Sequence, residues 1–214
     1  MTEGTPPVEA ERDGRGATHF IKSPLTRFIL AAIAWLPVTF GSWYLLGPVL
    51  LWPVRLLVQL ICRIGLSDVV RDVEVGGSSI AFLTTLKPGE GMGTGMGAGF
   101  ISVDVNMLVY AFGMPLFAAL TIAAHEAKWW RTLAIGYAVM VPFVAWGVLA
   151  DFLKGIALVA PAAVASQTGF SGLQREMIAF AYQFGSLILP AVVPAVLWVL
   201  LHRAFLERLR RRAG

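Results

Sequence analysis

Polar and apolar positions follow two regimes along this chain. Long stretches are almost free of charge, and between the first two of them lies a segment, 68–106, in which apolar and polar residues alternate. Residues 28–54 carry no charged side chain. That run exceeds the roughly 20 residues a bilayer demands and far exceeds a signal-peptide core, so it is expected to stay in place uncleaved. Pro37, Pro48 and Pro53 each remove a backbone donor, which predicts a kinked helix or an end near Gly47 before a second, shorter piece. In that piece, 54–66, Arg55, Gln59 and Arg63 share one stripe, with Leu56, Leu57, Leu60, Ile61 and Ile64 around the rest. The spacing fits an amphipathic helix at the interface and, nearly as well, a continuation of helix one out of the bilayer.

Period-2 patterning takes over after Asp68. Valines alternate with acids over 71–75, and Gly76 and Gly77 are expected to supply the positive-φ residues of a hairpin turn. Ile80, Phe82, Thr84 and Leu86 mark one face of a second strand. In a third strand, Ile101, Val103 and Val105 point one way while Ser102, Asp104 and Asn106 point the other. Three short strands are marginal alone, so the apolar face needs a cover, either the membrane helices or a partner protein.

Further along, 107–124 predicts a short second crossing, 125–131 a charged turn with Trp129 and Trp130 at the headgroup boundary, and 132–150 a third crossing that ends at Asp151 and Lys154. Residues 156–165 are apolar but interrupted by Pro161 and too short to span, 167–176 reads as a polar loop, and 178–201 is the fourth crossing. The expected fold is an α-helical integral membrane protein with four transmembrane helices and a small extracytoplasmic β-segment between helices one and two. Its expected organisation is a polar, disordered cytoplasmic tail over 1–22, helix one with its amphipathic extension over 23–66, the β-segment with its Gly-rich loop over 67–106, helices two to four over 107–205, and a basic cytoplasmic tail over 206–214.

Composition agrees with a membrane protein: 57% of residues are hydrophobic and 14% charged, against roughly 25% charged in a soluble domain. The net charge of +4 matters less than its placement. Counting Arg27 and Arg203 with the tails they adjoin, the N-tail, the 125–131 turn and the C-tail hold 11 of the 17 Lys and Arg residues, and the intervening segments hold 6. By the positive-inside rule both termini are cytoplasmic, with the β-segment and the 151–176 loop outside.

Candidate chemistry is sparse. The single cysteine, Cys62, excludes an internal disulfide and reads as a packed hydrophobe. A membrane thiol peptidase built on it is the enzymatic alternative, and it lacks an activating histidine on the same side. The alternating glycines from Gly89 to Gly99 match no phosphate-loop spacing. Met92 and Met96 form a poor soft-metal pair. His19, His125 and His202 lack the spacing of a zinc site, and Ser186 reads as a helix-packing residue. No cofactor, metal or nucleic acid is expected. What remains is a polar group near the outer ends of the crossings. Asp72, Glu74, Asp104, Asn106 and Arg175 are expected to contact a partner, and Asp151 with Lys154 to form a structural pair. Glu176 and Gln183 lie nearby in sequence.

The stretches PLTRFILAAIAWLPVTFGSWYLLGPVLLWPV (24–54), VNMLVYAFGMPLF (105–117), WGVLADFLK (146–154) and YQFGSLILPAVVPAVLW followed by HRAFLE (182–207) resemble, in order and spacing, the exosortase H-associated membrane protein family of Gram-negative bacteria. The resemblance implies a non-enzymatic accessory in the bacterial inner membrane. Its expected partners are an exosortase, a transpeptidase-like enzyme that processes C-terminal sorting signals, or the sorted substrates. An exosortase itself would carry a catalytic Cys with Arg and His partners at its outer face, and this chain departs from that pattern. A subunit of an oligomeric transporter is a further alternative.

Overall fold

Residues 24–87 and 101–213 are described by a computed structural model. Helix α1, Pro24–Leu50, runs through both Pro37 and Pro48 rather than ending near Gly47. The break falls at Leu51 (φ −91°, ψ 2°), where Pro53 takes the first turn of α2, Trp52–Gly65. A missing N–H costs nothing there, because first-turn donors have no intrahelical partner. The amphipathic piece is thus a separate helix and does not simply prolong α1. It has three faces. Val54, Val58 and Cys62 are buried, Arg55, Gln59 and Arg63 form the polar stripe, and Leu56, Leu60, Ile61 and Ile64 are exposed.

The sheet follows: β1 (Val70–Gly76), β2 (Ser79–Thr84) and β3 (Ser102–Asn106), antiparallel in the order β1-β2-β3. Gly76 pairs with Ser79 and so stays in the ladder. The two-residue turn is Gly77-Ser78, and only Gly77 (φ 58°) has positive φ, correcting the expectation for Gly76. Residues 88–100, which include the alternating glycines with Met92 and Met96, lie outside the described residues, as does His19.

Next come α3 (Leu108–Ala111), α4 (Gly113–Ala123), α5 (Trp129–Lys154) with a π-helical turn at Gly155–Val159, α6 (Ala162–Ala165), a 3-10 turn at Ser166–Thr168, α7 (Gly172–Gln183), a second π-helical turn at Phe184–Ile188, α8 (Leu189–Leu201) and α9 (Arg203–Ala213). Pro24–Leu50, Trp129–Val159 and Gly172–Leu201 are long and apolar enough to cross a bilayer. The stretch predicted as the second crossing is a shorter helix, Leu108–Ala123, interrupted at Phe112 and about 24 Å long at 1.5 Å per residue. It is the enclosed centre of the bundle, packed against α1, α5 and α8. Small residues make that packing close. A Cβ on Gly113 would strike the Pro190 carbonyl, on Gly136 the Phe117 ring, and on Gly147 the Tyr110 ring. The expected polar loop is shorter than predicted: Ser171 accepts from the Gln174 N–H while the Gln174 side chain accepts from the Ser171 N–H, and this capping box starts α7 at Gly172.

The cover for the sheet is the chain's own bundle. Ile80, Phe82 and Thr84 of β2 and Val105 of β3 are buried, and Phe82 stacks on Phe152 of α5 at 4.3 Å between ring centroids. The hairpin tip docks on the α1–α2 corner. Arg55 donates to the Gly77 carbonyl, the Met107 N–H donates to the Ser78 carbonyl, and a Cβ on Gly47 would come within 2.8 Å of Ser78 Oγ.

Phe82→Ala should cost about 3–5 kcal/mol of sheet docking, seen as faster proteolysis between residues 66 and 107 in membranes with the helices left intact. Phe152→Ala should act alike, and the double variant should lose less than the sum because both changes remove one stack. Strictly additive losses would mean that the two rings do not support each other.

Candidate functional site

Cross-strand register decides what the sheet shows to its surroundings. Val75, Ile80 and Val105 share the inner face with Val73, Phe82 and Val103. The outer face carries Glu74–Ala81–Asp104 across the three strands and, next to it, Asp72–Leu83–Ser102. Glu74 and Asp104 thus flank one alanine, about 10 Å apart at two strand spacings, and Asp72, Glu74 and Asp104 are all exposed. Asp72 also accepts from the Val73 N–H at 2.8 Å. Asn106 shares this face, but its side-chain oxygen accepts from the Leu108 N–H at 3.0 Å, so it also fixes the entry to α3.

Arg175 does not join these residues. It sits in the first turns of α7, half-buried, with Nη2 donating to the Ala165 carbonyl at 3.4 Å. The loop it braces is tied to the sheet by Gln167, which accepts from the Lys87 N–H and donates to the Lys87 carbonyl, both at 3.0 Å. Gln167 was not singled out in the sequence, because a glutamine in a polar loop carries no pattern.

A second polar group lies at the end of the bundle beneath the sheet. Lys154 Nζ is 2.6 Å from Asp151 Oδ1, with about a quarter of each side chain exposed (26% and 22%). The same ammonium lies 3.9 Å from the centroid of the Tyr182 ring, a cation–π distance. Tyr110 presents its hydroxyl to both Asp151 and Tyr182. Elements distant in sequence thus converge on one ion pair. The tyrosines were missed because they read as ordinary members of apolar runs, whereas Gln183, which stood out, is exposed.

Each π turn begins one or two residues after a member of this cluster. In the first, the Ala160 N–H reaches back five residues to the Gly155 carbonyl at 2.9 Å, and Pro161 then stops the helix. In the second, the Leu189 N–H does the same to Phe184 just before Pro190. There Ser186 donates to the Tyr182 carbonyl at 2.8 Å, an intrahelical use of the hydroxyl.

Cys62 is 2% exposed, in a helix that is not one of the membrane-spanning segments, and burial pushes its thiol up to about 11. A nucleophilic cysteine needs the opposite shift. Among the described residues no three His, Cys, Asp or Glu side chains are grouped to hold a metal.

Apolar helices of spanning length, a bundle sealed by small residues and a sheet with one charged face define a polytopic membrane protein with a folded segment at one end. The chain matches the exosortase H-associated membrane proteins over residues 22–205 and belongs to that family, which links it to an exosortase system as an associated membrane protein. No curated protein and no solved structure matches it.

Two outcomes follow. Asp151→Ala and Lys154→Ala should each cost about 1–3 kcal/mol, less than a fully buried pair because both groups retain some exposure. Exchanging the two residues should restore part of the folded protein, while Tyr182→Phe, which keeps the ring, should cost less than either. Folded protein per cell reads this directly, and an exchange variant no better than the singles would show that geometry outweighs charge. Cys62 alkylation should keep rising with pH beyond 9, following its raised pKa. A plateau near pH 8 would indicate an activated thiolate.

Proposed function

We propose that this protein is a non-enzymatic accessory of an exosortase-type sorting system in the bacterial inner membrane, crossing it four times with both termini cytoplasmic and the sheet outside. Its outer sheet face contacts the exosortase or the substrates being sorted, with Asp72, Glu74 and Asp104 at the centre and Asn106 at the margin, while Arg175, on α7, would contribute from outside the sheet. The Asp151–Lys154 pair serves the scaffold. The observation that carries this reading is the asymmetry of the sheet: its apolar face is covered by the chain's own helices, and its exposed face holds carboxylates in register. Exposed carboxylates on a solvated face add little to folding, so their placement suits recognition of a cationic or donor-rich surface. Family membership supplies the system, and the cation distribution of 11 against 6 supports the orientation.

The test combines topology with capture. Reporter fusions at Gly91 and Gly172 should read as extracytoplasmic, and fusions at Glu126 and Gly214 as cytoplasmic. In native membranes, the triple change Asp72→Ser, Glu74→Ser and Asp104→Ser should leave protein amount unchanged and lower crosslinking to the exosortase or its substrates severalfold per molecule. Equal crosslinking per molecule, or a loss of abundance matching that of Asp151→Ala, would sink the contact role.

A further inference from the structure

At the end of the bundle opposite the sheet, a cavity of about 790 Å³ opens between the start of α1, the turn after α4 and the face of α9. Its walls carry Arg27, Lys128 and Arg208 against one carboxylate, Glu126, which already accepts from Arg208 at 2.6 Å. Three cations less one anion leaves two positive charges at the mouth. Among the described residues, neither Arg27 nor Lys128 has a carboxylate partner. Behind these groups the wall turns apolar with Phe28, Ala31 and Phe205.

A second, separate cavity, of about 470 Å³, lies further along α1 and shares no lining residue with the first. On α1 the first is lined by Arg27, Phe28 and Ala31 and the second by Trp35, Val38, Thr39 and Ser42. These positions advance by three or four residues at a time and so share one face of the helix. The second cavity is closed by α4 and α5, including Trp130 and Tyr137, and its lining is overwhelmingly apolar. From Ala31 to Ser42 the helix rises about 16 Å, close to the roughly 15 Å of hydrocarbon in one leaflet.

We propose that these two cavities together form one binding site for an anionic glycerophospholipid of the adjoining leaflet. The phosphate sits among Arg27, Lys128 and Arg208, and an acyl chain lies along α1 in the aromatic groove. The net positive mouth selects an anionic headgroup over a zwitterionic one, because among the described residues its one carboxylate, Glu126, is already paired with Arg208. The apolar second cavity selects a lipid over a free phosphate. The bound lipid packs beside the direct Phe28–Phe205 contact that already joins α1 to α9.

The experiment uses the full chain purified in detergent and native mass spectrometry, with equal additions of phosphatidylglycerol and phosphatidylcholine of the same acyl chains. Phosphatidylglycerol should be retained roughly tenfold or more over phosphatidylcholine. The Arg27→Gln, Lys128→Gln double variant, which leaves the Arg208–Glu126 pair intact, should bring the two lipids level. Millimolar inorganic phosphate should leave the bound lipid in place. A phosphatidylglycerol carrying a photoreactive acyl chain should label α1, α4 or α5 beside Trp35, a readout that needs no variant to fold. Equal retention of the two lipids by the unaltered chain, a preference that survives the double variant, displacement by inorganic phosphate, or labelling confined to other surfaces would each overturn the proposal.

Discussion

Strands of seven, six and five residues cannot hold a sheet together without a surface to lie on, and in this protein that surface is the end of α5. The stack of Phe82 on Phe152 fixes the distance between sheet and bundle. The approach of Val103 to Gly155, where an added Cβ would come within 3.0 Å, leaves no room to slide. Once that face is committed, the period of two along each strand dictates that Asp72, Glu74 and Asp104 point away from the helices. The proposed contact surface is therefore a by-product of packing: any register that buried Phe82 differently would also redistribute the carboxylates.

The polar cluster at the end of α5 solves a different problem. An ion pair at the edge of a membrane is costly to desolvate, and Asp151 and Lys154 meet that cost with more than each other. A tyrosine ring faces the ammonium, and a tyrosine hydroxyl faces the carboxylate. The π turns next to these residues change the angular position of everything after them, as an extra residue per turn must. They thereby let Asp151, Lys154 and Tyr182 face inward without forcing the following apolar residues out of their own packing. Ser186, Pro161 and Pro190, unremarkable as isolated residues, are the local chemistry that accommodates those turns.

How far the sequence could be read depended on how local each determinant was. Pleat alternation is local, and the valines of β3 follow it: Val105 is buried while Asp104 and Asn106 are exposed. Helix existence in the long apolar runs is equally local. Capping by Ser171 and Gln174 was available in the sequence too, and a reading of 167–176 as loop overlooked it. Tertiary choices were not available. Nothing in DVEVGGSS says that Gly76 stays paired and the turn falls one residue later, because that depends on Arg55 and Gly47 gripping the turn from another element. Tyr110 and Tyr182 were invisible for the same reason, since a tyrosine in an apolar run acquires meaning only when a distant lysine or aspartate arrives beside it.

The stacking of Phe82 on Phe152 also sets a timetable. Phe152 is 70 positions further along the chain (152 − 82), so at about 5–20 residues per second of synthesis the hairpin stands for several seconds without its cover. During that interval its buried face is open to other chains, and it is held by contacts made early, among them those to Gly47 and Arg55 in the preceding helices and from the Val70 N–H to the Leu66 carbonyl. The grip on the hairpin tip, a detail of the finished protein, is therefore also the nascent segment's protection against pairing with the wrong neighbour.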